Sequence, residues 1–128
     1  MSTWSVAIVR WTMLAVGWAM IALNALHLIA GVPRLRARIA AGEVAPSLAA
    51  PFLTAWIWLG IVDLILGVIL LLIARDAATG NVVARRVAMS IGIGLLIVGL
   101  AAFAASPKHP GLLVVSLFGV ILVGVLLV

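Results

Sequence analysis

The stretch PFLTAWIWLGIVDLILGVILLLIA, from Pro51 to Ala74, decides the fold. It exceeds the roughly 20 residues that a helix needs to cross about 30 Å of hydrocarbon. Asp63 is its only charged residue, and Arg75 ends it. Its apolar residues do not alternate with period two, as a barrel strand would require. A helix closes its own backbone hydrogen bonds, which lipid demands of any spanning segment. The stretch therefore reads as a transmembrane helix.

Three similar runs lie outside it. One extends from Trp11 to Val32, between Arg10 and Arg34, and its helix is free to start as early as Trp4 with Arg10 snorkelling to the headgroups. Another extends from Val87 to Ala105, after Arg85 and Arg86, and the last from Leu112 to Val128. The expected fold is all-α: a polytopic membrane protein of four antiparallel transmembrane helices in an up-down bundle, residues 1–128 forming a single domain. The first run is too long for a signal core, and its basic flank is stronger on the far side, so it is expected to be retained.

Composition agrees. Of the 128 residues 67% are apolar and 9% charged, whereas soluble domains are nearer half apolar and a quarter charged. A chain this short has too much surface to hide that excess from water. A soluble enzyme, a disordered chain and a disulfide-stapled secreted domain are excluded, the last because there is no cysteine.

The connections carry turn chemistry. Pro33 suits a first helical turn, and Gly42 suits a left-handed helix end. The basic segment between them, with Arg34, Arg36 and Arg38, reads either as a short helix in the headgroup layer or as a solvated loop. Gly80 and Asn81 make a turn in which Asn81 caps the next helix. Residues 106–111 read as a tight turn that leaves His109 solvated.

Orientation is a tie. Four spans place Arg10, Arg75, Arg85 and Arg86 on one side and Arg34, Arg36, Arg38 and Lys108 on the other, and the positive-inside rule needs an excess. The tie fits one orientation set by other means, or insertion both ways round. Size and balanced charge are similar to those of the small four-helix multidrug transporters. Their defining carboxylate is a glutamate in the first helix, and this first helix has none, so their function is not carried over. The net charge of +5 is the usual complement of anionic lipid. With basic residues on both faces, nucleic acid is not an expected partner. Arginine far outnumbers lysine, and with the high Ala and Val content this points to a GC-rich bacterial source and a cytoplasmic (inner) membrane.

Three polar residues stand out inside the spans, Asn24, His27 and Asp63, where each requires a reason. Met13, Gly17, Met20, Asn24, His27 and Gly31 make one seam of the first helix; Trp56, Gly60, Asp63 and Gly67 make one of the second. From the helical rise, Asp63 lies about 18 Å from the face of the first loop, Asn24 about 14 Å and His27 about 9 Å. An Asn24–Asp63 hydrogen bond or bridging water is expected, with His27 beside the tryptophans of the second helix. Asp63, Asn24 and His27 form the candidate polar site. Asp63 serves either as a protonated interhelical link, as a proton or cation site, or in a salt bridge to a partner subunit. His27 is a packing residue or, as a minor reading, a pigment or haem ligand. Trp4, Trp11 and Trp18 share an adjoining stripe, and Trp18 is deep enough to be expected to pack.

Close packing is expected at Gly17, Gly60 and Gly67, on the third helix at Gly94 and Gly99 beside Ser90 and Gly92, and on the fourth at Gly119 and Gly124 beside Ser116. Arg34, Arg36, Arg38, Arg85 and Arg86 are the interfacial basic residues. No thiol, metal-ligand cluster, nucleophile elbow or phosphate loop is present. Neither catalysis nor a resident metal or cofactor is expected. The first functional expectation is a non-catalytic accessory or assembly subunit, or a homo-oligomer, packed through glycine-lined faces. The alternative is a proton-coupled transporter or channel that titrates at Asp63.

Overall fold

The computed structural model describes residues 3–107 and 113–127. Of the described residues 91% are helical, and none is in a strand. The helices are α1 (Thr3–Leu26), a π-helical turn (His27–Gly31), α2 (Val32–Ala40), α3 (Pro46–Ala78), α4 (Val82–Ala105) and α5 (Leu113–Leu126). Three of the apolar helices are long enough to cross a membrane and the fourth is shorter, a make-up compatible with a four-helix bundle. The protein is a membrane protein. Leu72 is 75% exposed and Ile29 76%; such residues are stable facing hydrocarbon, not water.

The first helix differs from the expected one. It does not stop before Pro33: residues 3–40 form one unbroken helical run. Proline in a helix interior clashes with the carbonyl four residues back, here that of Ile29, and donates no hydrogen bond. The π-helical turn lies immediately ahead of Pro33, and its wider coil makes room for the ring. The basic segment is thus helical, and it continues the first span instead of forming a separate element.

Both expected helix ends close on glycine. Gly42 has φ 77° and Gly80 φ 92°. After α2, the amide of Gly42 donates to Ile39 and that of Glu43 to Arg38. After α3, Gly80 donates to Ala77 and Asn81 to Asp76. These are Schellman pairings, which satisfy the last carbonyls of a helix and need the left-handed residue. Asn81 then caps α4, its Oδ1 accepting from the Ala84 amide at 3.0 Å. At its other end α3 begins at Pro46 and runs through Pro51, starting earlier than the apolar pattern alone indicates.

α5 has 14 residues, about 21 Å of rise. The outer ends of the expected fourth span, Leu112 and Val128, lie outside the described residues. So do Lys108 and His109, and with them most of the expected turn.

The protein divides into two compact units, one made of residues up to Val16 and from Ile69 onward, the other of Gly17–Val68. The first has a core of small and medium side chains. Val9, Met13, Leu70, Ala77, Ala78, Ala88 and Leu122 are all fully buried. Within it α4 and α5 pack antiparallel through Gly92, Gly99 and Gly119. A Cβ added at Gly119 would lie 2.5 Å from the Gly92 carbonyl oxygen and 2.5 Å from the Leu96 amide nitrogen. Ser116, buried on the same face, donates a long hydrogen bond to Leu96 at 3.4 Å. Arg85, expected only as an interfacial charge, is half-buried and donates to the carbonyl of Leu126 in the last turn of α5. Such carbonyls lack helical partners, and a basic side chain is a common way to satisfy them.

Candidate functional site

The candidate site lies in the second unit, between the C-terminal half of the first span and the first half of α3. Glycines set the spacing. A Cβ at Gly67 would lie 2.9 Å from the Gly17 carbonyl oxygen, so the two backbones touch there. One at Gly60 would meet Leu28 Cδ2 at 2.8 Å and His27 Cδ2 at 3.0 Å. One at Gly31 would meet Trp56 Nε1 at 3.3 Å. These pairings run in opposite chain directions, so the helices are antiparallel, and they set Asn24 near the level of Asp63.

The depth register is therefore the expected one, but the hydrogen bonding differs. The Asn24 amide nitrogen donates to the Met20 carbonyl, one turn back, at 2.9 Å. An asparagine within a helix has its own backbone acceptor within reach at no cost in chain entropy, and it takes that acceptor in preference to a carboxyl on another helix. Asp63 makes no hydrogen bond or ion pair with another described residue, and it interacts electrostatically with His27. Asn24, His27 and Asp63 are all half-buried.

His27 is held from two sides. Its Nε2 lies 3.2 Å from the Trp56 carbonyl oxygen; the carbonyl accepts, so this nitrogen carries the proton. Its ring stacks on the Trp56 indole, with centroids 4.4 Å apart and planes 18° from parallel. Ligating a haem or pigment through Nε2 would give up the hydrogen bond. Among the described residues no three His, Asp or Glu side chains come together as a metal site. Trp56 is in turn flanked by Phe52, with centroids 6.0 Å apart. Its indole N–H is buried and has no acceptor.

Three expected packing positions come out differently. Gly94 and Gly124 are exposed, and a Cβ at either would meet nothing within 4 Å. The reason is rotational: Gly92 already faces α5, and Gly94 is about 200° further round the same helix. Trp18 is 62% exposed. It follows Trp4 and Trp11 on their outward stripe, and its depth does not turn it inward. Arg34, Arg36, Arg38 and Arg86 are exposed.

The aromatic group around Trp56 was visible in sequence only as tryptophans near His27. The part played by Gly31 and the π-helical turn in placing it follows from Pro33, the one sequence signal for that turn. Compared with known proteins, the chain matches no family, no curated protein and no solved structure.

Proposed function

We propose that the protein is a non-catalytic membrane component, in a bacterial cytoplasmic membrane, whose role is to assemble with copies of itself or within a larger complex. What supports this reading is the outward face of α4, where Ser90, Gly94, Ala101 and Ala105 are all exposed. Glycine weakens a helix and covers no area, so lipid contact alone gives no reason for it. Small residues at helical spacing are what a second helix needs to approach closely in lipid. Gly124 on α5 is open in the same way. The test is subunit counting in lipid nanodiscs, with co-purification from native membranes. Gly94→Leu should abolish the association while the helical content of the chain is kept. A wild-type chain that stays monomeric and brings down no partner refutes the reading.

A second reading, a proton-coupled transporter or channel, is favoured by Asp63. This carboxyl lies near the midpoint of α3 and has no hydrogen bond among the described residues, with His27 as its electrostatic neighbour. Asp63→Asn would then abolish a pH-driven flux in proteoliposomes while helicity survives. Equal flux in the two proteins removes this reading.

A further inference from the structure

A groove of about 300 Å³ lies where α2 meets the start of α3, lined by Gly31, Arg34, Leu35, Arg38, Phe52 and Trp56. Its position in the bilayer follows from the charges that end the apolar run of the first span, Arg34, Arg36 and Arg38, since guanidinium groups at the end of a span seek the headgroup layer. The groove thus has a cationic rim in the headgroup layer and an apolar floor below.

The rim has donors to spare. Arg34 and Arg38 are one helical turn apart and lie on one side of α2. Arg34 has no ion pair among the described residues. Arg38 gives its Nε to Glu43 Oε2 at 2.6 Å, which leaves its two terminal nitrogens for another acceptor. A guanidinium presents its N–H groups as a planar fork matched to phosphate oxygens. Glu43 is the one acidic group paired at this rim and neutralises part of its charge, so the groove suits a single anionic head.

The floor is fixed in place. His27 stacks on Trp56, and Phe52 lies tilted beside it with ring centroids 6.0 Å apart. The indole N–H of Trp56 is turned toward Gly31 with no acceptor in the chain. Leu35 is buried on the same helix as the arginines, and Gly31, without a side chain, lets the indole lie close against the first span.

We propose that this groove is a binding site for one anionic phospholipid, its phosphate held between Arg34 and Arg38 and the start of its acyl chain lying on Leu35, Phe52 and Trp56. The site is independent of the assembly reading. Its recognition chemistry is that of any phosphate, and the apolar floor selects the lipid.

Native mass spectrometry of the detergent-purified full-length protein, titrated with phosphatidylglycerol, phosphatidylcholine or inorganic phosphate, tests it. The wild type should retain one phosphatidylglycerol per chain and bind phosphatidylcholine at least tenfold more weakly. Arg34→Gln combined with Arg38→Gln should weaken retention at least tenfold; both residues are exposed, so the fold survives. Arg36→Gln and Arg86→Gln should leave it unchanged. Gly31→Leu, with every charge intact, should also weaken retention. Equal retention of the two lipids overturns the proposal, and so does equal loss in Arg36→Gln, which would mean diffuse attraction. Inorganic phosphate that displaces the lipid at equal concentration would also overturn it, making the groove a free-anion site.

Discussion

The α4–α5 interface and the seam between the first span and α3 both rely on glycine, but they use it differently. At α4–α5 the atoms nearest a hypothetical Gly119 side chain are backbone, Gly92 O and Leu96 N. Neither can move without moving a helix. At Gly60 the nearest atoms belong to the Leu28 and His27 side chains. The first interface is backbone against backbone at Gly119, with one buried hydroxyl and the Arg85 guanidinium closing the end of α5. The second brings backbones together at Gly17 and Gly67, sets side chains against backbone at Gly60, and collects Asn24, His27 and Asp63, all half-buried. A membrane bundle can therefore draw rigidity from one pair of helices while another pair holds the polar chemistry.

The comparison breaks if the two glycines respond alike. Gly119→Val should cost about 3 kcal/mol or more, the upper end for overpacking, seen as lost thermal stability in detergent. His27→Ala should cost about 1–2 kcal/mol, from the lost ring stack and its hydrogen bond. It should also shift tryptophan fluorescence, because the imidazole lies against the Trp56 indole. Gly60→Ala should cost about 1–2 kcal/mol, because the end of Leu28 can swing away but His27, held by its stack and hydrogen bond, must also give. Gly94→Ala sharpens the contrast at the bottom of the scale. With open space around it, the substitution should be neutral or raise thermal stability by up to about 1 kcal/mol, from helix propensity alone.

Much of this architecture was readable from residue pattern. The apolar runs located the spans, because crossing hydrocarbon leaves few alternatives. Gly42, Gly80 and Asn81 announced their helix ends, since left-handed backbone and an open helix N-terminus call for those residues. Depth counted inward from Pro33 and Pro51 also yields the antiparallel register that brings His27 to Trp56. What stayed hidden was rotation and choice of partner. Gly92 and Gly94 are alike in sequence, and only one can face α5. Asn24 had two acceptors within reach, and sequence does not rank a local carbonyl against a distant carboxyl. Pro33 normally marks a boundary, and here a widened turn carries the helix through it.

That turn has a further consequence. A π-helical coil holds one residue more than the α-helical coil it replaces, so removing a single residue between His27 and Gly31 would restore ordinary pitch. The wide coil and the ordinary coil each make about one full turn, so everything beyond would keep nearly the same facing. Leu35 would stay buried and the two arginines would stay beside the indole. What the deletion takes away is the room for the Pro33 ring: the extra residue is absorbed where it is inserted, and the charged end of the helix keeps its compass bearing.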